Sequence, residues 1–567
     1  MLRIRICAKG PGRRRTSCAP LPQPSPILRR ITLAFRSLPL ILLALLLTLP
    51  VLAVFAAWLP WGGDALAGPI LREMASTVLP GYALTTVWLG LMVALGAAVV
   101  GTVTAATVTL FDFTGRRTLE WLLLLPLAMP AYVTAYAYTD FLQFSGPLQV
   151  WLRETYGLEG RLLPEVRSLG GAVWVFIFSL YPYVYLLART ALGERAAHLM
   201  EAARLLGAPL RRRITTVALP LARPAVAAGV ALVLMETLAD FGVASYFGIQ
   251  TFTTGIYKAW LSMDNRIAAA QLATFLLVLV VLLLQIEVRA QRRMRFVTNG
   301  VGRAGSAEAQ PLRLRGGHAA LAWLVCLLPV LMGFVAPVFF MLRPLAADWS
   351  VLPWSRFLEW AWNSVRLGAI TSVLAVAIAL ALAFAVRRRP DALTRGVAQL
   401  ASLGYAVPGA VIVVGLLLPV GWLQAAVPHW GLASLITATA VGIVWAYLVR
   451  FCAVALQSMQ SGYARIPVSF DDSARMLGTR SWGLLARVHW PLLKRSTAAA
   501  ALLVFVDVMK ELPATMVLRP FNSDTLAVVA YQLARDERLG EAALPSLALV
   551  AVGLVPVIML SRTLRSR

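Results

Sequence analysis

Two stretches of this 567-residue chain follow one pattern, EAARLLGAPLRRRITTVALP at 201–220 and DSARMLGTRSWGLLARVHWP at 472–491. At a spacing of 271 residues they align Ala203 with Ala474, Gly207 with Gly478 and Pro220 with Pro491. Each begins with helix-favouring residues, reaches a glycine that ends or bends the helix, and closes on a proline stop. A single copy is typical of a basic connecting loop. Two copies with the same internal spacing indicate a repeated functional element.

The segments on either side of these two blocks are apolar enough to lie in lipid. The chain is 59% hydrophobic and 14% charged, and its mean hydropathy is +0.75. A membrane span needs roughly 20 mostly apolar residues, which predicts an all-α polytopic membrane protein of about twelve spans. They are 39–59, 84–108, 119–142, 171–190, 224–247, 267–288, 319–342, 364–386, 397–422, 432–454, 496–518 and 541–561.

The net charge is +26, and the basic residues that produce it lie near the ends of the predicted spans. Most of the Lys and Arg residues fall on the side of both termini when the spans alternate, which is the positive-inside bias. Both termini are therefore predicted to be cytoplasmic. Orientation and anionic lipid account for the charge, so no nucleic-acid partner is expected. The connecting segments predicted on the cytoplasmic side are 112–118, 189–223, 289–318, 387–396 and 455–495.

The repeat extends far beyond the blocks. Upstream the spacing becomes 278, where TTVWLG at 85–90 meets NSVRLG at 363–368. Six spans in each half is an even number, so both halves enter the membrane from the same side. The predicted organisation is a basic tail at 1–38, a first permease domain at 39–289, a linker at 290–318 and a second permease domain at 319–567.

The block resembles the cytoplasmic loop of permease subunits in binding-protein-dependent ABC importers. In that family the motif is E-A-A, three residues, Gly, nine residues and I/V-x-L-P, and the resemblance implies the type I importer permease fold. It also implies that each loop forms a coupling helix that docks on one of two cytoplasmic ATPase subunits. The matching residues are Glu201, Ala202, Ala203, Gly207 and Pro220 in the first copy and Asp472, Ala474, Gly478 and Pro491 in the second.

The chain has no phosphate-binding P-loop of its own. Its lysines are Lys9, Lys258, Lys494 and Lys510, and none follows a glycine, so the Gly-Lys-Ser/Thr cradle is absent. ATP would then be used by a separate chain, and this chain would be a transport subunit that is no enzyme and binds no cofactor. The resemblance implies a periplasmic substrate-binding protein as a further partner and a multi-pass location in the bacterial inner membrane.

The segments after each block are similar to the fused permeases of bacterial ferric iron importers. They read ETLADFGVASYFGIQTFTTGIYKAW at 236–260 and KELPATMVLRPFNSDTLAVVAYQLARDERLGEAALP at 510–545. The resemblance implies ferric iron as cargo. Related fused permeases carry thiamine, phosphonates or polyamines, so these substrates stay open. A gradient-driven secondary transporter with twelve helices is a further alternative, which the doubled block disfavours.

Four of the carboxylates inside predicted spans lie at matched positions of the repeat, Glu236 and Asp240 in the first half and Asp507 and Glu511 in the second. Ionised groups there are costly unless they face a cavity or each other. The i, i+4 spacing of each pair predicts that both acids share one helix face, and oxygen ligands suit the hard Fe³⁺ cation. Three roles remain open for these acids. They could line a translocation pathway, they could pair with Lys510 and Arg519 or cap broken helices, or they could bind iron directly. The phenolic oxygens of Tyr246 and Tyr257 could serve as further iron ligands.

The other metal-binding and docking residues are less informative. The four histidines and the four cysteines form no close pair, so neither a resident metal site nor a disulfide framework is predicted. The predicted periplasmic loops at 143–170, 249–266 and 519–540 carry mixed charges. They are expected to dock the binding protein, although no single residue stands out.

Overall fold

The fold was analysed in a computed structural model that describes residues 26–56, 58, 67–193, 197–298, 312–350 and 352–565. Helices dominate these residues, and one pair of two-residue strands joins them. The apolar side chains of both halves pack into one core. The all-α polytopic fold predicted from hydropathy is confirmed. The predicted tail at 1–38 lies largely outside the described residues, and its last part belongs to the first helix.

The elements in chain order are α1 Pro26–Ala56, α2 Ala67–Ser76, α3 Leu79–Leu110, β1 Phe111–Asp112, α4 Arg116–Leu122, α5 Ala131–Leu142, α6 Pro147–Tyr156, α7 Leu169–Ala191, α8 Ala197–Leu205, α9 Leu210–Arg213, α10 Leu219–Ala239, α11 Gly242–Tyr246, α12 Phe252–Tyr257, α13 Arg266–Thr298, β2 Leu312–Arg313, α14 Gly317–Val330, α15 Ala336–Ala347, α16 Trp354–Arg388, α17 Ala392–Leu403, α18 Gly409–Ala426, α19 Leu432–Thr437, α20 Ala440–Ala464, α21 Val468–Met476, α22 Ser481–Gly483, α23 Trp490–Lys510, α24 Pro513–Leu518, α25 Leu526–Arg535 and α26 Leu539–Arg565. Short 3-10 segments at Leu125–Ala128, Gly404–Ala406 and Pro428–Trp430 and π-helical segments at Ile214–Ala218, Lys258–Ser262, Leu331–Val335 and Leu484–His489 complete them.

Among the described residues, ten helices are long and apolar enough to cross a membrane. The predicted span at 119–142 is instead a helix pair, 116–128 and 131–156, bent by 89°. Pro126 and Pro130 lie at this bend, and each removes a backbone donor that a straight helix needs. The predicted span at 496–518 corresponds to α23, a 21-residue helix that carries four charged residues. The twelve predicted spans therefore correspond to these ten helices, the bent pair and α23, and the bend is the feature that hydropathy did not predict.

Each half is built around three helices that pack on one another, α3, α7 and α10 in the first half and α16, α20 and α23 in the second. Small residues allow close approach at these contacts. A Cβ added at Gly229 of α10 would lie 2.7 Å from Val184 Cα of α7. In the second half a Cβ at Gly368 of α16 would lie 2.9 Å from the Phe505 ring of α23.

The first helix of each half packs against the other half. Helix α1 lies along α18, where the backbone of Pro50 fills the space that a side chain at Gly415 would need. The segment α14–α15 lies against α5 and α7 in the same manner. Tyr138 donates a hydrogen bond to the Met332 carbonyl over 2.7 Å, and the Phe141 and Phe340 rings stack 4.0 Å apart. The two halves are thus interlocked.

The predicted linker at 290–318 is only partly a connecting segment. Helix α13 continues to Thr298, residues 299–311 lie outside the described residues, and β2 follows. Strand β2 pairs in parallel with β1, with Phe111 opposite Leu312. The backbone N–H of Leu314 extends the pairing with a hydrogen bond to the Asp112 carbonyl. The start of the second half is therefore fastened to the end of α3.

The segments predicted as periplasmic loops contain helices that fold back on the bundle. Helix α6 lies within 143–170, α12 within 249–266 and α25 within 519–540. In α25 the residues from Leu526 to Tyr531 are at most 4% exposed. The short helices provide hydrogen bonds for the backbone N–H and C=O groups of these segments. Segments that do not cross the membrane need such bonds where other parts of the protein bury them.

Candidate translocation cavity and coupling blocks

The four predicted intramembrane acids line one cavity between the halves. Its volume is about 190 Å³, and its walls come from the helix ends at 127–132, from α7 and α10, and from α20, α23 and α24. The sequence repeat placed Glu236, Asp240, Asp507 and Glu511 in matched positions, and the structure brings all four to this cavity.

Each acidic pair straddles the end of a helix. Helix α10 ends at Ala239, and the backbone of Asp240 is extended with ψ of 133°. Helix α23 ends at Lys510, and Glu511 is extended with ψ of 121°. Both acids of each pair line the same cavity, and the second acid of each pair is the residue at which the helix breaks.

The acids at the breaks cap the short helices that follow. Asp240 Oδ1 accepts a hydrogen bond from the Val243 N–H at 2.8 Å. The two Glu511 oxygens accept from the N–H groups of Ala514 and Thr515, each at 3.0 Å. A carboxylate at a helix start satisfies backbone donors that would otherwise lack a partner and interacts well with the helix dipole.

A partner that sequence reasoning missed, Arg450, extends toward Glu511 from α20. Its Nη1 lies 3.4 Å from Glu511 Oε1, and the two side chains are 12% and 2% exposed. The hypothesis that Arg519 pairs with these acids is wrong, because Arg519 pairs with Asp524. An arginine within a predicted span was the available signal, since an ionisable residue there needs a partner or a cavity.

Two further polar contacts at the cavity join the halves. Tyr405, in the second half, donates a hydrogen bond to Glu236 Oε1 over 2.8 Å. Lys510 Nζ donates to the Leu127 carbonyl over 3.0 Å. Leu127 and Tyr405 correspond at the spacing of 278, so each half reaches the other at an equivalent point of the repeat.

The tyrosines proposed as extra oxygen donors lie outside the cavity lining. Tyr257 donates its hydroxyl hydrogen to the Pro513 carbonyl over 2.6 Å, and Arg167 donates to the Tyr246 hydroxyl over 3.3 Å. The phenolic side chains on the cavity wall are Tyr132, Tyr183 and Tyr405. Within the described part of the chain, no group of three or more His, Cys, Asp or Glu side chains is arranged to hold a metal ion.

Both copies of the repeated block have the same local structure. Helices α8 and α21 end just before Gly207 and Gly478, whose φ angles are +76° and +78°. The N–H of Ala208 bonds to the Ala203 carbonyl and that of Thr479 to the Ala474 carbonyl, both at 3.0 Å. This is the left-handed helix ending that favours glycine. The predicted helix followed by a glycine break is confirmed.

Apolar side chains stand out from both glycine turns. Leu205 and Leu206 are 85% and 87% exposed, and Met476 and Leu477 are 88% and 85% exposed. In the same blocks Glu201, Ala202 and Asp472 are exposed and Ala474 is buried. Apolar residues this exposed beside charged ones are typical of an interaction surface.

The proline at the end of each block does not stop a helix. Pro220 and Pro491 are the second residues of α10 and α23, which continue directly from π-helical segments. The wider π turn accommodates a residue without a backbone N–H, as at many helix irregularities. The predicted Leu-Pro stop is therefore wrong, and each block leads without interruption into a membrane helix.

Comparison with known proteins shows which proteins this chain is similar to. Residues 97–296, which include the first block, match the family of binding-protein-dependent transport system inner membrane components. The chain is 24% identical, over 84% of its length and 88% of the relative, to the Fe(3+)-transport system permease protein FbpB 2 of Haemophilus influenzae.

Other relatives match smaller shares of the chain. The sulfate transport system permease protein CysW of Escherichia coli is 33% identical over 31% of this chain and 59% of its own length. PhnU of Salmonella typhimurium, a permease named for 2-aminoethylphosphonate transport, is 26% identical over 44% of this chain and 88% of its own length. All three are transport permease subunits, which are not enzymes.

Proposed function

We propose that this chain, the permease subunit of a binding-protein-dependent ABC importer, carries ferric iron across the bacterial inner membrane. The observation that carries this proposal is the likeness to a ferric iron permease over 84% of the chain and 88% of the relative. The relatives named for sulfate and 2-aminoethylphosphonate transport match 31% and 44% of the chain.

The chemistry of the cavity supports a cationic cargo. Its walls carry the carboxylates of Glu236, Asp240, Asp507 and Glu511 and the two basic side chains of Arg450 and Lys510. Fe³⁺ is a hard cation that prefers oxygen ligands. Because Asp240 and Glu511 already accept hydrogen bonds from the backbone, the cavity favours passage of a cation over tight ligation, as a conducting path requires.

The repeated blocks support an ATP-driven mechanism. We assign the side that carries α8 and α21 to the cytoplasm, because basic residues concentrate there. The exposed apolar residues beside Gly207 and Gly478 would each dock on one copy of a separate ATPase chain. Closure of the ATPase pair would move the blocks together and rock the interlocked halves between inward-open and outward-open states. A periplasmic binding protein would deliver the cargo.

A second candidate cargo is an oxyanion such as a phosphonate. Arg450 and Lys510 line the same cavity, and a phosphonate-transport relative matches nearly half of the chain. Arg450, however, is already paired with Glu511, and the four acids of the lining would repel an anion. These two features make the cation the better-supported cargo.

Uptake by the reconstituted complex tests the proposal. Proteoliposomes holding this chain, its ATPase and its binding protein should accumulate radiolabelled ferric iron only with ATP, and unlabelled thiamine or 2-aminoethylphosphonate should not compete. ATP turnover driven by a phosphonate-loaded binding protein without iron movement would replace the cargo but keep the mechanism. Uptake that persists without ATP and stops when the proton gradient collapses would contradict the ATP-driven mechanism.

A further inference from the structure

A buried polar cluster lies beneath the second block. It consists of Asp471 of α21, Arg387 at the end of α16, Tyr463 near the end of α20, and His489 of the π-helical segment before α23. We call it the Asp471 cluster. Asp471 is 2% exposed, and His489 is fully buried.

Every member of the cluster contacts another at hydrogen-bond distance. Arg387 Nε lies 3.0 Å from Asp471 Oδ2, and His489 Nε2 lies 3.0 Å from Asp471 Oδ1. The other ring nitrogen of His489 lies 3.2 Å from the Tyr463 hydroxyl. Arg387 Nη2 also donates to the Ile466 carbonyl over 3.0 Å. These bonds tie α21 to three membrane helices at once.

The first half has different chemistry at every matched position. At the spacing of 271, Asp471 corresponds to Met200, Tyr463 to Leu192 and His489 to Ala218. At the upstream spacing of 278, Arg387 corresponds to Thr109. Met200, Leu192 and Ala218 are buried apolar residues, so packing takes the place of the hydrogen-bonded cluster beneath α8.

The first half has an ion cluster of its own in another place. Glu120 pairs with Arg116 at 3.1 Å and with Arg189 at 3.0 Å. These residues join α4 to α7, and none of them lies in α8. Among the described residues, charged side chains thus hold the block itself in the second half, whereas those of the first half join other helices.

Charged hydrogen bonds in a buried cluster fix geometry more strictly than apolar contacts do. Apolar side chains can slide and repack at small cost, whereas a buried carboxylate that loses its partner is left uncompensated. Four groups that satisfy one another also stabilise a single arrangement. Helix α21 is thus restrained in position and orientation more strongly than α8.

We propose that the Asp471 cluster holds the second block rigid while the first block stays more mobile, so that the two ATPase contacts are unequal. The second contact then transmits ATPase movement directly to α16, α20 and α23. The first contact adjusts to the bound ATPase before it transmits force. The assignment of unequal roles rests on the proposed coupling function, whereas the difference in mobility does not.

Spin labels at matched positions test the difference in mobility on the full-length permease without partners. Leu205 and Met476 each lie two residues before the glycine of their block and are 85% and 88% exposed. Each is replaced by cysteine and labelled with a nitroxide, in a chain whose four native cysteines are replaced by alanine. The label at 476 should be less mobile than the label at 205. Equal mobility at the two positions would overturn the proposal.

Substitutions in the cluster test its cause. His489→Ala places the first-half residue in the second half, and Arg387→Gln removes the charged partner of Asp471 while keeping His489 in the chain. Both should raise the mobility at 476 to that at 205 and leave 205 unchanged. Arg388→Gln, at the exposed neighbouring position, is the matched control. A label at 476 that stays immobile in both cluster variants would contradict the proposal.

Uptake per ATP hydrolysed tests the unequal roles in the reconstituted complex. Arg387→Gln should lower this ratio several-fold while ATP hydrolysis persists, since the first contact is intact. Arg388→Gln should leave it unchanged. An unchanged ratio in Arg387→Gln, with the spin-label difference confirmed, would refute the unequal roles. A complex that transports no ferric iron but shows the label difference would refute only the cargo.

Discussion

Arg450 compensates a carboxylate that the break after α23 leaves inside the bundle. Glu511 receives two backbone N–H groups and the Arg450 side chain, and its own side chain is 2% exposed. Breaking a buried pair by removing one partner costs about 3–5 kcal/mol. We therefore expect Arg450→Met to lower the melting temperature of the detergent-solubilised permease strongly.

The double variant separates the pair from the surrounding packing. Arg450→Met combined with Glu511→Gln should recover part of the lost stability, because a neutral amide can still accept a backbone hydrogen bond without leaving a buried charge. Thermal unfolding followed by tryptophan fluorescence measures both variants. A double variant whose melting temperature falls as far as the sum of the two single variants would exclude an interaction between these side chains.

Asp471 gives a pH-dependent prediction. Burial alone would raise the pKa of Asp471, but hydrogen bonds from Arg387 and His489 outweigh it and hold the pKa below its ordinary value. A carboxyl group of this kind stabilises the fold above its unfolded pKa of about 3.9, and the contribution is lost as the pH falls through the lower folded pKa. The label at 476 should therefore stay immobile at neutral pH and become mobile only below about pH 4.

The variant Arg387→Gln is the internal comparison for this titration. Because this variant already frees the label at 476 at neutral pH, the mobility at 476 should show no further gain as the pH falls. A label at 205 should show no transition. An unaltered permease that loses order well above pH 4 would contradict the assignment of this transition to Asp471.

The sequence pattern predicted that the four acids meet, but it did not predict which side chains pair with them. The gap-free repeat after the blocks placed Glu236 on Asp507 and Asp240 on Glu511, so convergence at the interface could be inferred. Arg450 and Glu511 are 61 residues apart in the chain, and their contact depends on how α20 crosses α24. This crossing geometry depends on the packing of helices that are distant in the chain, so no local sequence periodicity predicts it.

At the level of single elements, the glycine turns decide how α8 and α21 end. An L-residue in the left-handed conformation costs roughly 1–2 kcal/mol, and a Cβ at Gly207 or Gly478 would meet nothing within 4 Å. Gly207→Val and Gly478→Val should therefore strain the backbone without a clash. Uptake and ATPase binding should fall in both, and more weakly in Gly→Asn, which tolerates this conformation.

A glycine in an ordinary helical position is the control for these turns. Gly396 lies inside α17, and a Cβ there would also meet nothing within 4 Å. Gly396→Ala should leave uptake unchanged and slightly raise stability. Full uptake in Gly207→Val and Gly478→Val would show that neither turn contributes to coupling.

Elements differ in how well the sequence predicts them. Long apolar helices such as α3 and α7 were found within about five residues at each end, because the length and hydropathy of a segment are enough to identify a membrane helix. The bend at 116–156 was missed, since a hydropathy window averages over Pro126 and Pro130. The folded-back helix α25 was missed because its buried surface forms only when α25 packs on α26 and α16, which lie far from it or after it in the chain.

At the level of the whole molecule, the interlocked first helices predict that the halves assemble without a covalent link. Helix α1 packs on α18 of the second half and α15 on α5 of the first half, so each half buries apolar surface that it cannot cover alone. We expect a chain divided between residues 304 and 305 to copurify as two pieces when both are expressed together. Each piece expressed alone should aggregate, because a large apolar face stays exposed.

The crossing contacts give the decisive variants for this assembly. The backbone of Pro50 in α1 occupies the space beside Gly415, and that of Phe178 occupies the space beside Gly333. Gly415→Leu and Gly333→Leu should push α1 and α14–α15 away from the opposite half, and together they should abolish copurification of the divided chain. Gly396→Leu, which meets open space, should not. Divided halves that copurify even with both crossing contacts altered would place the main contact at the cavity, where Tyr405 meets Glu236 and Lys510 meets Leu127.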